Sequence, residues 1–124
     1  MADRAFRNDV NVVFASSAAV HDGEHAYGWS KKAAEEELMA YATDWTILRF
    51  YNVSAGRRPN GGGLVDAVVK AARTGYLLEI NGKGTAVRDY IHVFDVIDRI
   101  MFALDGRHPR ETLEVGRGVG LSVN

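Results

Sequence analysis

A short apolar segment near the N-terminus constrains this chain more than any other feature of its sequence. Residues 10–15 read Val-Asn-Val-Val-Phe-Ala and are followed by Ser16 and Ser17. A short run of β-branched and aromatic residues without regular alternation is typical of a strand in a parallel sheet, where both faces are covered. We therefore predict a buried parallel strand that ends near Ser16.

Helical and extended patterns alternate along the rest of the chain. The predicted elements, in chain order, are a helix over residues 26–42, a strand over 45–51, a helix over 64–73 that ends at Gly75, a strand over 76–80 closed by a glycine turn over 81–84, a helix over 94–104 and a strand over 112–115. This alternation predicts a single α/β domain over residues 1–124. Its sheet should be mainly parallel, with right-handed crossovers and flanking helices.

Composition excludes several classes of protein. The 124 residues include 15 Lys and Arg against 16 Asp and Glu, which gives a net charge of −1, and there is no cysteine. A near-zero charge argues against a nucleic-acid binder, because such a protein needs a basic excess to neutralise phosphates. No apolar run approaches the roughly 20 residues of a membrane helix, and no secretion signal is recognisable. We expect a cytoplasmic protein without thiolate catalysis that binds neither nucleic acid nor membrane.

Tyr27 and Lys31 stand four residues apart at the start of the first predicted helix. This spacing puts their side chains on one helical face, within about 6 Å of each other. An ammonium group beside a phenol favours the phenolate, which can act as a base. Ser17 ends the first strand, and open α/β sheets bind their ligands at the carboxyl ends of the strands. Taken alone, the Tyr–Lys pair also fits an ordinary solvated helix face, which is the more frequent origin of such spacing.

Five sequence blocks, in a fixed order, carry a resemblance to a known family. They are the serine block of residues 14–20, the block of 27–35 that begins Tyr-Gly-Trp-Ser-Lys, the block of 48–53 that begins Leu-Arg-Phe-Tyr-Asn, the block of 88–96 that begins Arg-Asp-Tyr-Ile-His-Val, and Val-Gly-Arg-Gly over 115–118 with Leu-Ser-Val over 121–123. In this order they resemble the extended short-chain dehydrogenases, and more narrowly the NAD-dependent sugar-nucleotide epimerases and dehydratases. The resemblance implies NAD as cofactor and a UDP-hexose as substrate, with chemistry of the UDP-glucose/UDP-galactose 4-epimerase type.

The resemblance also implies a role for each candidate residue. Tyr27 would be the catalytic base that takes the sugar hydroxyl proton, and Ser17 would hydrogen-bond the same hydroxyl. Lys31 would favour the ionised tyrosine and, with it, contact the nicotinamide ribose. Asn52 and Arg88 would bind the substrate diphosphate, a partner that suits the guanidinium fork. In the family's reaction a hydride passes from the sugar to NAD and returns to the opposite face of the resulting ketone.

The strand, glycine-rich turn and helix that open the family's fold have no counterpart in this sequence. The glycines at 61–63 follow no predicted strand. Those at 116–120 follow one, but Leu121 occupies the third glycine position of the dinucleotide fingerprint and too few residues follow for a helix, so we interpret both groups as turns. We therefore expect a partial Rossmann-like parallel sheet with flanking helices that lacks the N-terminal dinucleotide-binding half. Such a chain would hold only part of an NAD site and would be incomplete as an isolated enzyme.

Two classes of function remain open. One is an epimerase-type enzyme, which works either as a reduced form or as one part of an assembly in which another chain supplies the cofactor half. The other is a non-catalytic module that binds a sugar nucleotide, associates only with itself, or is a remnant that has kept the fold without the reaction. A parallel sheet without its first strands exposes an apolar edge, and the helix that carries Tyr27 and Lys31 lies in the family's dimer interface. We therefore expect a homodimer or a strand-exchanged oligomer.

Some polar clusters have two interpretations. His21, Asp22, Glu24 and His25 contain metal-ligand types, but they are better explained as solvated loop residues, and we predict no metal site. Arg57 and Arg58 precede a glycine-rich stretch that could hold a phosphate, although a surface turn is the favoured explanation. The run of residues 35–37, three glutamates, predicts the solvated side of the first helix. Within the last long block, Asp89, Tyr90 and His92 are predicted to be structural.

Overall fold

A computed structural model describes residues 10–23, 25–55, 63–80 and 82–123. Within those ranges the chain forms six strands, β1 to β6, at Asn11–Ser17, Asp44–Phe50, Asn52–Ser54, Arg88–His92, Glu111–Val115 and Gly120–Leu121. Three α-helices, α1 to α3, span Ala26–Tyr41, Leu64–Thr74 and Val93–Leu104, and a 3₁₀ turn, Ala18–His21, follows β1. The structure confirms the predicted α/β class.

The central sheet has three parallel strands in the order β1-β2-β5. Its register places Ser16 beside Arg49 and Arg49 beside Glu114, so that these three residues form one row across the sheet. Successive residues of a strand face opposite sides. In β2, Ile47 therefore faces one side and Leu48 the other, and both are fully buried. A central strand buried on both sides is what the continuous apolar run of residues 45–51 predicts.

Helices cover both faces of this sheet. On one face α1 contributes Leu38, which packs in a cluster with Trp45 and Ile47. On the other face α3 contributes Val96 and Ala103, which pack against a cluster that includes Leu48 and Val115. The result is a three-layer arrangement in which α1 and α3 hold the sheet between them.

A second, smaller sheet extends the fold beyond the carboxyl end of β2. Its order is β3-β4-β6, with β3 parallel to β4 and β6 antiparallel to β4. Asn52, the first residue of β3, pairs with Tyr90, and its side-chain amide donates a hydrogen bond to the carbonyl of Asp89 at 3.1 Å. This pairing brings the start of β3 next to Asp89 and Tyr90, in the middle of β4.

Most element boundaries agree with the sequence prediction, but one strand does not form. Helix α2 ends as predicted at Gly75, whose φ of 67° suits a residue without a side chain. The predicted strand over residues 76–80 is wrong, because this segment pairs with no strand in the part of the chain described and its Tyr76 and Leu77 are exposed. Extended propensity without a partner strand does not make a sheet. None of the helices in the described ranges is long and apolar enough to cross a membrane.

Candidate functional site

A cavity of about 380 Å³ opens where the two sheets meet. Three residues predicted to bind substrate line it: Ser17, which ends β1, Asn52, which begins β3, and Arg88, which begins β4. These positions are up to 71 residues apart in sequence, from 17 to 88. The register of the two sheets is what brings them together.

Ser17 is held in place by the turn that follows it. Its backbone is extended, with φ −144° and ψ 146°, and its hydroxyl oxygen accepts a hydrogen bond from the amide of Ala19 at 3.2 Å. The side chain therefore caps the 3₁₀ turn. A hydroxyl that accepts one hydrogen bond can still donate its own proton to a ligand.

Arg88 lies between two cavities. Its guanidinium donates one hydrogen bond, from Nη1 to the carbonyl of Val87 at 3.0 Å, and the side chain is exposed. A guanidinium has five N–H donors, so others remain for an anionic ligand. Arg88 also lines a larger cavity of about 880 Å³ that extends along α2 and is bordered by Leu64, Lys70 and Tyr90.

Tyr27 and Lys31 share a helical face, as their spacing predicts. The ammonium nitrogen of Lys31 lies 6.0 Å from the centre of the Tyr27 ring and 5.1 Å from that of Phe14. It also donates a hydrogen bond to the carbonyl of Ala15 at 2.9 Å, on the terminal strand of the central sheet. Tyr27 is 58% exposed. Neither Tyr27 nor Lys31 lines the cavity of Ser17, so the five predicted residues form two groups.

Gly28 lets the two groups approach each other. A Cβ atom at this position would collide with the backbone carbonyl of Ala19. The first turn of α1 therefore packs directly against the 3₁₀ turn that Ser17 caps. A residue without a side chain is required here because the contact is with backbone, which cannot rotate away.

Residues for only one end of a dinucleotide are present in the described ranges. Lys31 uses one of its three ammonium donors on Ala15, which leaves donors for ribose hydroxyls beside Tyr27. Within those ranges no glycine-rich turn leads directly from a strand into a helix, the arrangement that holds a pyrophosphate. Gly118, with φ 74°, lies instead in the turn between β5 and β6. Among the described residues, the donors of Lys31 beside Tyr27 therefore suit a ribose, and no turn of the kind that holds a pyrophosphate is present.

A buried ion pair that the sequence did not predict lies beside Ser17. Glu35 of α1 is only 1% exposed, whereas the glutamate run was predicted to be solvated. Its carboxylate accepts hydrogen bonds from Arg49 Nε at 3.0 Å and Arg49 Nη2 at 2.7 Å, and from the hydroxyl of Ser16. The prediction failed for Glu35 alone of the three, since Glu36 and Glu37 are exposed. The available signal was spacing: Lys31, Glu35 and Leu38 follow one helical stripe.

Opposing effects act on the pKa of Glu35. Burial raises this pKa. The hydrogen bonds from Arg49 and Ser16 and the charge of Arg49 together lower it by more, so the pKa lies below its ordinary value. The hydrogen bond to Glu35 in turn raises the pKa of Arg49, so both groups stay ionised. Arg49 also donates from Nη1 to Glu114 at 3.1 Å, and Glu114 contacts His21 Nε2 at 2.9 Å.

The remaining polar residues have the following positions. Asp89 accepts hydrogen bonds from the amides of Arg117 and Gly118 at 2.9 and 2.8 Å, contacts that agree with the predicted structural role. His92 caps α3 by accepting from the amide of Phe94 at 3.3 Å. Glu24, Arg57 and Arg58 lie outside the described residues. No group of three or more His, Asp or Glu within the described ranges could hold a metal ion.

Curated proteins with similar sequences are UDP-sugar epimerases. UDP-arabinose 4-epimerase 1 of Arabidopsis thaliana is 35% identical over 78% of this chain and 29% of its own length. UDP-glucose 4-epimerase of Lacticaseibacillus casei is 32% identical over 77% of this chain and 36% of its own. The chain therefore spans about a third of the length of these relatives.

Solved structures give the same picture. UDP-glucose 4-epimerase of Thermotoga maritima, solved with UDP-glucose, is 26% identical and superposes with a TM-score of 0.84 over 98% of this chain and 47% of its own. MoeE5, in complex with UDP-glucose and NAD, is 31% identical, with a TM-score of 0.77 over 92% of this chain and 44% of its own. These similarities confirm the predicted partial Rossmann-like fold.

The sequence pattern of the NAD dependent epimerase/dehydratase family covers nearly the whole chain. It matches residues 1–116, which include the serine strand, the Tyr–Lys helix and the strands that carry Asn52 and Arg88. The matched segment thus includes every residue of the candidate site, and this chain belongs to the NAD-dependent epimerase/dehydratase family.

Proposed function

We propose that this chain is the substrate-binding and proton-transferring part of a UDP-sugar 4-epimerase that acts on a UDP-hexose such as UDP-glucose or UDP-galactose. The observation that carries the proposal is that Ser17, Asn52 and Arg88, from three different strands, line one cavity. The relatives and the solved structures named for UDP-sugars support the substrate class.

The two cavities that meet at Arg88 suit an elongated, anionic ligand. A guanidinium between them would bind the diphosphate, which is the charged middle of a sugar nucleotide. The cavity of about 880 Å³ is large enough for the nucleoside, and the cavity of about 380 Å³ leads to Ser17 and would receive the sugar. Asn52 lies on the sugar side, where its amide oxygen is an available acceptor.

The proton-transfer groups would act on one sugar hydroxyl. Ser17 would donate or accept a hydrogen bond at that hydroxyl, and Tyr27 would take its proton while the ammonium of Lys31 stabilises the phenolate. The chemistry that bound NAD supplies is removal of a hydride from the sugar carbon and its return. Tyr27 and Lys31 would contact the nicotinamide ribose, and another polypeptide segment would hold the pyrophosphate.

Titration calorimetry of the chain with UDP-glucose, with and without NAD, tests this proposal. Saturable binding of UDP-glucose that is lost in Arg88→Ala and retained in Arg99→Ala, an exposed arginine on α3, is the expected result. Turnover in the presence of NAD that disappears in Tyr27→Phe would support the full enzyme. Absence of heat with UDP-glucose would overturn the substrate assignment.

A second candidate, a self-associating module, is favoured by a separate observation. Four exposed apolar side chains follow one side of α3 at helical spacing, namely Phe94, Ile97, Met101 and Leu104; we call them the α3 stripe. Contiguous apolar surface of this kind marks association sites in soluble proteins. We therefore retain a homodimer as the predicted assembly, and the cytoplasmic location also stays a prediction.

A further inference from the structure

The 3₁₀ turn that Ser17 caps is tied to the rest of the fold at both of its ends. We propose that His21 and Glu114 are positioning residues, which hold this turn in the shape that a sugar hydroxyl at Ser17 requires. The inference rests on the proposed function, because it gives these two residues a task in the same cavity. Nothing in the five family-like blocks points to either side chain.

The far end of the turn is anchored across the fold. His21 is its last residue, and the imidazole Nε2 lies 2.9 Å from Glu114 Oε1 on β5, 93 positions further along the chain. His21 lines the cavity together with Ser17. Both partners are near half exposure, with 50% and 42% of their side chains accessible. A contact this long-range, at the surface, fixes the turn without adding to the core.

The near end of the turn is anchored by the buried ion pair. Ser16, which precedes Ser17, donates its hydroxyl proton to Glu35, and Glu35 is bound to Arg49. Arg49 then donates to Glu114 at 3.1 Å, so the contacts run from Ser16 through Glu35, Arg49 and Glu114 to His21. These five side chains form a continuous chain of contacts. It begins at Ser16, just before Ser17, and ends at His21, the last residue of the 3₁₀ turn. Both flanks of Ser17 are therefore held by one network.

The distribution of hydrogen bonds around Arg49 leaves Glu114 able to accept one from His21. Two carboxylates, Glu35 and Glu114, share one guanidinium, and Arg49 gives Glu35 two hydrogen bonds but Glu114 only one. Glu114 therefore has spare acceptor capacity, which the N–H of His21 fills. Tyr51 also lines the cavity and is affected by Glu114: burial raises the pKa of Tyr51, and the charges of Glu114 and Asp89 and a hydrogen bond to Glu114 raise it further.

Two substitutions at His21 separate positioning from general stability. His21→Ala removes the contact with Glu114, whereas His21→Gln keeps an N–H donor of similar reach. The matched control is His108→Ala, because His108 contacts Glu111 at the same 2.9 Å but lies outside the cavity lining. Hydrogen–deuterium exchange of residues 18–22 reports on the turn without any ligand, and calorimetry with UDP-glucose reports on the site.

We expect exchange in the turn and the Kd for UDP-glucose each to increase about tenfold in His21→Ala, as loss of a hydrogen bond to a charged group implies. His21→Gln should restore both, and His108→Ala should change neither. Unchanged exchange in His21→Ala would overturn the inference whether or not the wild type binds ligand. Faster exchange with unchanged affinity would overturn the role in binding. If His21→Ala exchanges faster but the wild-type chain does not bind UDP-glucose, the proposed function is overturned and the anchoring of the turn is supported.

Discussion

Glu35 of α1 and Arg49 of β2 are joined by two parallel hydrogen bonds, Nε to Oε1 at 3.0 Å and Nη2 to Oε2 at 2.7 Å. This two-point pairing fixes the helix to the sheet one row of residues below Ser17, because Arg49 lies in register with Ser16. The position of the candidate site therefore depends on a charged contact in an otherwise apolar layer.

Removal of Glu35 should destabilise the fold strongly. Glu35→Ala leaves the guanidinium of Arg49 partly buried without its main partner, and breaking a buried pair in this way costs about 3 kcal/mol or more. Glu37→Ala, two residues along the same helix but exposed, should stay within about 0.5 kcal/mol of the wild type. Urea denaturation of both variants measures the difference, and equal effects would contradict the structural role of Glu35.

The same carboxylate makes stability depend on acid pH. The pKa of Glu35 is lower in the folded chain than its ordinary value of 4.5, so its ionisation stabilises the fold above that pH. This contribution is lost as the pH falls through the folded-state pKa. Urea midpoints from about pH 7 to about pH 3 should decline less in Glu35→Gln than in the wild type. Parallel declines would show that other carboxyl groups account for the acid sensitivity.

Gly28 should tolerate no side chain. In Gly28→Ala the new Cβ would collide with the carbonyl of Ala19, so that either α1 or the 3₁₀ turn has to shift, at a cost of about 1 to 3 kcal/mol. Gly63→Ala is the control, because a Cβ there meets nothing within 4 Å and the backbone φ of −134° is ordinary. Thermal melting compares the two. A Gly28→Ala chain as stable as the wild type would contradict the close packing of α1 on the turn.

The α3 stripe should drive self-association. Met101→Asp places a charge in its middle and should shift sedimentation velocity profiles from dimer to monomer at the same chain concentration. Asp98→Asn, on the same helix but outside the stripe, should leave the profile unchanged. A wild-type chain that sediments as a monomer at high concentration would contradict the predicted homodimer.

Sequence patterns predicted the elements whose formation depends on local chemistry. The buried run of β2 and the glycine that ends α2 at Gly75 are decided by a few adjacent residues, and both were predicted. The segment over residues 76–80 was not, because a strand forms only where another strand is in register with it. The sequence alone does not show whether a sheet edge is free to pair with this segment.

The sequence predicted those residues of the candidate site that lie within family-like motifs. Ser17, Asn52 and Arg88 were identified from family-like blocks, and the structure adds that they share a cavity that Tyr27 and Lys31 do not line. Pairing of Glu114 with His21 was not predictable, because the two residues are 93 positions apart and come together only through the strand order. Long-range polar contacts of this kind leave no periodic signal in a sequence.

Amide chemical shifts of the isotopically labelled chain, titrated with UDP and with UDP-glucose, test the central claim most directly. UDP should move the amide signal of Arg88 saturably, and UDP-glucose should move it and, in addition, the signals of Asn52, Ser17 and the turn over residues 18–21, since only the sugar reaches that end of the cavity. Saturable shifts confined to other parts of the chain, or no shifts with either ligand, would contradict a sugar-nucleotide site at these residues.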